Sequence, residues 1–485
     1  MTERTFRQQM TEGVKWVGIS RLLLYFLQLV VTVILARIVP PSSFGALSAA
    51  LVFANFTVIF NELGFMSAVI QHKDLKDAHV VTAFWACALL GFIFLGAGIM
   101  AAPYVAVFFD NPLVSKLVVL FAFQFCVDSF GIIQEAVLRR RMDFKKLMSI
   151  DITANVAFGI TAVSLAFGGA GILAMGWGFL VSSLLRVSLL WCFSSLGDLR
   201  SFDLNCFFEL FAFGKNIVGF KMLNFLVGNI DVAMVGRLLG SSVLGVYSMA
   251  LNLANLPRLK LSFIISQVAF PAFAKIQDDI AAVSAAYLKI VRFASVVNFA
   301  LLTGLAVLAV PFVQVVLGER WAQLSGPLPV LCVYGMFFSV TTLVGNVYNG
   351  LGRPDYSLKF AVFNFAGTML AILLGFRQGL IAIAVNLAVY SAFSNMIGHL
   401  FVKRLTGISY LSYLRVLVPA VSASVVMASG LLGWTAVSER VFDTTTVFSF
   451  LSSLFIGLLL YCSGLFVFSR RTFIDMAQIA RGFIK

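Results

Sequence analysis

Apolar residues fall in long runs along most of the chain, separated by short polar stretches, a pattern that fits lipid rather than water as the solvent. In lipid the backbone must satisfy its own hydrogen bonds, which leaves helices or a closed barrel, and runs of about 20 residues are too long for barrel strands. The pattern predicts about fourteen transmembrane helices, near 14–37, 43–71, 80–109, 114–138, 147–167, 172–193, 211–239, 243–273, 283–317, 328–348, 360–376, 380–402, 416–434 and 447–468. The connections between them are too short to hold a soluble catalytic domain.

The pattern also repeats. Residues 15–55 and 215–255 align without a gap at an offset of 200, with 10 identities over 41 positions. These include Lys15/Lys215, Arg37/Arg237, Ser42/Ser242, Gly45/Gly245, Ser48/Ser248 and Asn55/Asn255, which shared hydrophobicity does not explain. The offset spans six helices, an even number, so both copies enter the membrane from one side and the implied pseudo-two-fold axis runs along the membrane normal. A weaker echo places Arg141-x-Asp143-Phe144 after the fourth span and Arg353-x-Asp355-Tyr356 after the tenth. The expected fold is an all-α integral membrane protein with two pseudo-symmetric six-helix lobes, 1–200 and 201–405. A C-terminal helix pair and cytoplasmic tail follow in 406–485.

Composition agrees: 60% of residues are hydrophobic and 12% charged, against about 25% charged in soluble domains. With the N-terminus placed inside, 21 of the 35 basic residues gather in inner segments, among them Arg139–Arg141, Lys403, Arg404, Arg470 and Arg471. The outer turns hold Arg37, Lys116, Arg237, Arg320, Arg377 and Arg440. This bias predicts cytoplasmic termini, and it assigns much of the net charge of +14 to topology and lipid headgroups rather than to nucleic acid. The polar start followed by a long span argues against a cleaved signal peptide. Six scattered Cys read as small apolar residues, and His72, His79 and His399 are too far apart in sequence to suggest a ligand set. No metal or cofactor is expected, and the phosphate-binding loop G-x-x-x-x-G-K-[ST] is absent.

Candidate chemistry lies in the charges within spans. Each charge at the bilayer centre costs about 2.5–3.5 kcal/mol, so the basic residues there must face water, find partners or snorkel to an interface. Lys15, Lys215 and Arg292 lie near inner ends, where snorkelling suffices; Arg21, Lys221, Arg258 and Lys260 lie deeper. Lys221, Asn224, Gly228 and Asp231 share one face of span seven at i, i+3, i+7 and i+10, and span one carries Arg21 and Gln28 on its equivalent face. Ser48, Asn55 and Glu62 follow one another by sevens in span two; Ser248, Asn255 and Ser262 do so in span eight, with Arg258 one turn along. A polar stripe that occurs twice points to two lobes facing one cavity; the alternative is hydrogen bonding between neighbouring helices alone. Among the acids, Glu135 and Asp151 are expected to pair with Arg139–Arg141. Glu62, Asp128 and Asp231 are candidates for coupling transport to an ion. Pro257 beside Arg258 marks a kink suited to a gating helix.

With these residues in view, the chain resembles the polysaccharide-transporter branch of the multidrug, oligosaccharidyl-lipid and polysaccharide flippase superfamily. The likeness covers nearly the whole chain. It rests on the span count, the first-helix run 18–37, Phe44-Gly45, Asn61-Glu62-Leu63-Gly64, the run from Leu138 to Phe144, and Leu351-Gly352-Arg353-Pro354-Asp355. The resemblance implies a translocase of undecaprenyl-diphosphate-linked oligosaccharide, for O-antigen, colanic acid or exopolysaccharide. Basic residues of the first and eighth helices, here Lys15, Arg21 and Arg258, would then receive the diphosphate. Asn55 stands where related lipid II flippases carry a base in the second helix, which weighs against lipid II itself.

The resulting expectation is a non-enzymatic flippase of the bacterial inner membrane. Its expected site residues are Lys15, Arg21, Asn55, Lys221, Asn224, Asn255, Arg258 and Lys260, and its expected partners are the lipid-linked oligosaccharide, membrane lipids and the polymerase and glycosyltransferases of the pathway. Two rivals remain. A cation-coupled multidrug antiporter would prefer an acid-rich cavity, and a membrane-embedded polymerase or glycosyltransferase would need an extramembrane catalytic loop.

Overall fold

The computed structural model describes residues 23–61, 64–72, 74–194, 202–258, 269, 273–441 and 447–484. Within these stretches the side chains of 58, 60–61, 212–221, 223–224, 438–441, 477 and 479–484 are outside the description. Among the described residues the chain is helical throughout and contains no strand. Eleven helices are long and apolar enough to cross a membrane, and the shorter apolar helix Leu23–Ile38 precedes them. Their outer faces carry the large apolar side chains: Met100 is 74% exposed, Phe167 73% and Val467 73%. In water such a surface would drive association; in lipid it is the ordinary solvent-facing side.

In the first half, α1 (Leu23–Ile38), α2 (Pro41–Asn61), α3 (Phe65–Gln71), α4 (Asp77–Phe108) and α5 (Pro112–Ser129) are followed by α6 (Ile132–Arg140), α7 (Phe144–Phe167) and α8 (Leu173–Phe193). Then α9 (Leu204–Pro257) carries spans seven and eight as helices joined end to end at Gly240, whose φ of 80° suits a residue without Cβ. The join matches the 200-residue repeat, because in the first copy the chain also leaves α1 at Ile38 and starts α2 at Pro41. The second half holds α10 (Ile280–Val307), α11 (Pro327–Thr341), α12 (Val344–Gly350), α13 (Pro354–Gly375), α14 (Leu380–Thr406), α15 (Tyr410–Val441), α16 (Val447–Phe468) and α17 (Arg470–Ile484).

Two expected spans are each broken into two helices. Span four breaks at Phe130–Gly131 between α5 and α6, and span ten breaks at 342–343 between α11 and α12. The breaks are separated by the same 212 positions that separate Arg141 from Arg353, so they extend the repeat beyond its first two helices. Breaking a helix in lipid frees carbonyls that must find donors. At the first break, Trp191 of α8 donates its indole N–H to the Phe130 carbonyl at 3.0 Å.

By internal packing the chain divides into two compact units, Met1–Gly245 and Val246–Lys485. In the first, α4 packs on α5, α7 on α8, and α5 also on α2 and α8. Small residues permit close approach: Gly98 of α4 faces Ala122 and Phe53, and Gly178 of α8 faces Phe158 and Ala162. The tightest approach involves the repeat itself. A Cβ on Gly45 would strike the Ser241 carbonyl, and a Cβ on Gly245 would strike the Pro41 carbonyl. Residue 45 thus meets the counterpart of residue 41, and 245 meets 41 itself. This reciprocity is the signature of a local two-fold axis. In the second unit α10 packs on α11 and α15, α14 on α11 and α13, and α15 on α16. The core there includes the buried rings of Tyr287, Tyr348 and Tyr413.

Candidate functional site

Spans seven and eight bring the second copy of the polar stripe through the membrane. Asn255 lies in the last turn of α9 and is 9% exposed; Arg258 follows Pro257 directly after that helix. Three residues apart, the two share a face, and Arg258 Nε donates to Asn255 Oδ1 at 3.1 Å. The guanidinium lies over the ring of Phe338 on α11, 4.6 Å from its centroid, and Phe338 stacks on Tyr334 at 5.2 Å. A desolvated cation on an aromatic face gains about 2 kcal/mol, an appreciable part of what a charge in lipid costs. With Nε engaged by Asn255, the fork of Nη donors is the part shaped for a phosphate or carboxylate.

The first copy supplies a separate polar contact. Asn55 of α2 is exposed and donates through Nδ2 to Asn229 Oδ1 at 3.3 Å, while Asn229 Nδ2 donates to the Phe225 carbonyl at 2.9 Å. Beside them the rings of Phe56 and Phe225 meet edge to face at 5.5 Å. The helices of the two sequence copies therefore touch at Asn55, through Asn229. Lys221 and Asn224 lie in helical backbone, with side chains outside the description. Lys15, Arg21, Glu62 and Lys260 lie outside the described residues altogether.

The acids take different partners. Asp128 accepts from Gln124 Nε2 at 3.3 Å on its own helix, and Asp231 is half-buried on α9. Glu135 pairs with Arg139 at 2.6 Å, as expected, but its second oxygen binds Arg186 of α8 at 2.9 Å. Asp151 departs from expectation: its partner is Arg186, at 2.9 Å, rather than any of Arg139–Arg141. Arg140 instead caps α3, donating to the carbonyls of Val69, Ile70 and His72.

Two of the histidines come together despite their spacing. The rings of His72 and His79 lie 4.6 Å apart, and His79 Nε2 is 3.2 Å from Glu209 Oε2, so the three residues have ligand atoms within 4.8 Å of one another. However, His79 Nδ1 accepts the Lys76 backbone N–H at 3.2 Å, which leaves the ring proton on Nε2, directed at Glu209. His79 and Glu209 are thus hydrogen-bonded to each other, with the His79 Nε2 proton directed at the carboxylate, while His72 joins them through its ring contact.

Sequence reasoning missed Phe338, Tyr334, Asn229 and the role of Arg186. Phe338, Asn229 and Arg186 are known by contacts between segments distant in sequence, which periodicity along one helix does not report; Tyr334 enters only as the ring stacked on Phe338 within α11.

The chain has curated relatives over most of its length. It is 29% identical over 415 residues to the lipopolysaccharide biosynthesis protein WzxC of Escherichia coli (strain K12), covering 84% of each chain. It is 27% identical over 383 residues to the succinoglycan biosynthesis transport protein ExoT of Rhizobium meliloti (strain 1021), covering 78% of this chain and 77% of that one. Among solved structures it is similar to the lipid II flippase MurJ in an inward closed conformation, with TM-score 0.74 and 15% identity, covering 93% of this chain and 98% of that chain. An inward-facing multidrug resistance MATE family transporter of the MOP superfamily gives TM-score 0.61 at 14% identity, covering 82% of this chain and 99% of that one. At these identities the solved structures bear on the fold alone. Residues 34–325 match the family described as polysaccharide biosynthesis protein, and to that family this chain belongs.

Proposed function

We propose that this protein is a flippase of the bacterial inner membrane, carrying polyprenyl-diphosphate-linked oligosaccharide from the inner to the outer leaflet for polysaccharide biosynthesis. The observation that carries the reading is Arg258, a guanidinium at the end of a long apolar helix, held through Nε by Asn255 and backed by Phe338. Its chemistry fits a diphosphate, and the names of WzxC and ExoT support a polysaccharide pathway. An anionic, sugar-bearing headgroup does not cross hydrocarbon unaided. A membrane potential negative inside favours outward movement of an anion by about 2.3 kcal/mol per charge per 100 mV, so tight coupling to an ion is not required.

In this reading two lobes, 1–200 and 201–405, rock in alternating access, both termini are cytoplasmic, and Lys15, Arg21, Lys221, Asn224 and Lys260 join Asn55, Asn255 and Arg258 in holding the headgroup. The protein moves its substrate without making or breaking covalent bonds, and pathway polymerase and glycosyltransferases stand beside it. Arg21→Ala with Arg258→Ala is expected to abolish translocation in a polysaccharide-complementation assay at normal membrane abundance; full activity would remove both residues from the site. Glu62→Gln tests ion coupling through Glu62 separately: unchanged, pH-independent transport by that variant would end it.

A further inference from the structure

The C-terminal helix α17 lies outside the repeat, yet it is not a loose tail. Thr472 is buried, Phe473 and Met476 pack on the core of the second unit, and Phe473 meets Phe466 of α16 edge to face at 5.6 Å. Its other face borders a cavity of about 610 Å³ shared with α10, within the ~300–1,000 Å³ range of ligand sites. Two stripes with helical spacing line it: Ala285, Lys289 and Arg292 on α10, and Arg471, Asp475 and Gln478 on α17. The cavity thus holds three cations and one carboxylate. Arg292 Nε is shielded from solvent and has no hydrogen-bond partner among the described residues. A buried donor left unmatched is costly, and an oxyanion in the cavity would match it.

The surroundings place the cavity at the edge of the membrane. Val467 and Phe468, the last residues of the apolar α16, are 73% and 55% exposed, and Arg470 immediately after them lies over Phe466 at 5.1 Å. Ile474 on α17 is 51% exposed. An amphipathic helix at the end of a span, with one apolar side chain turned outward and basic residues on its polar face, belongs at headgroup depth. We propose that Lys289, Arg292 and Arg471 bind the phosphate of an anionic membrane lipid between α10 and α17. The assignment does not depend on what the protein transports. It gives the terminal helices a role in lipid recognition, separate from Arg258.

The test uses the full-length protein in phosphatidylcholine nanodiscs, with phosphatidylglycerol added in steps and thermal stability as the readout. Saturable stabilisation is expected, with half-saturation moved about tenfold higher by Arg292→Gln with Arg471→Gln. If that double variant does not fold, Lys289→Gln at an exposed position is expected to weaken binding about threefold, and Asp475→Asn to strengthen it by a similar factor. Equal phosphatidylglycerol response in wild type and variants would overturn the site. Inorganic phosphate and glycerol phosphate form the second arm: stabilisation by either at matched concentration, equal to that by phosphatidylglycerol, would overturn the lipid assignment in favour of a soluble anion.

Discussion

The α6–α7–α8 bundle of the first unit and the α12–α13–α14 bundle of the second occupy matching places in the repeat, yet they are held together by different chemistry. In the first, Arg186 of α8 bridges Glu135 of α6 and Asp151 of α7, both at 2.9 Å. In the second, Tyr348 of α12 is fully buried and donates to the Gly398 carbonyl of α14 at 2.6 Å, with Phe360 of α13 edge to face against it. Tyr390 of α14 adds donations to the Phe363 carbonyl and Asn364 Oδ1 of α13, at 3.1 Å each. Even the echoed Arg-x-Asp motif has diverged. Arg353 grips Asp355 with two bonds at 3.0 and 3.1 Å, whereas Asp143 pairs with Lys146. Lipid favours polar contacts between helices that are answered from within the protein; it does not specify whether ions or phenols answer. Topology therefore persisted while the chemistry between helices drifted.

The comparison can be broken most forcefully at Arg186. Arg186→Met leaves the Asp151 carboxylate without its partner and Glu135 with Arg139 alone, a loss of about 3–5 kcal/mol expected from breaking a buried pair. Membrane abundance and melting temperature in detergent should fall sharply. Adding Glu135→Gln and Asp151→Asn removes the stranded charges and should restore most of the loss. A single variant as stable as the wild type would show that the ionic triad holds nothing. The second unit should respond less. Tyr348→Phe keeps the ring and its packing while leaving the Gly398 carbonyl without the phenol, which should cost about 1–2 kcal/mol, read as a smaller shift in the same melting assay. A larger loss at Tyr348 than at Arg186 would reverse the account of which bundle relies more on its polar contact.

The contrast also explains how far the sequence could be read. Helices were legible because lipid imposes long apolar runs, and Asn255 with Arg258 was legible because both sit within one turn. The breaks at Phe130–Gly131 and at 342–343 were not, since neither has a Pro at the break to mark it. The register of Asn55 against Asn229, the seating of Arg258 on Phe338 and the reach of Arg186 to Asp151 depend on how distant helices rotate against each other. That rotation follows from packing volumes such as the Gly45 and Gly245 crossing, which hydropathy does not encode. The expected pairing of Asp151 with Arg139–Arg141 went wrong for this reason: proximity along the chain stood in for proximity in space.

The smallest expected effect sharpens the comparison within the ionic cluster itself. Arg139 and Arg186 both contact Glu135, yet the Arg139 side chain is 40% exposed and that of Arg186 is 27%. Arg139 also sits one turn from Glu135 on the same helix, so its contact ties no second element into the bundle. Arg139→Gln should therefore cost no more than about 0.5–1 kcal/mol, the range of a partly solvated pair, because Glu135 keeps its bond to Arg186. Raising the salt concentration should shrink that difference further, while the penalty of Arg186→Met should persist, since buried pairs are weakly screened. Equal losses for the two arginines would mean that total charge around Glu135 matters, rather than the bridge from α8 to α6 and α7.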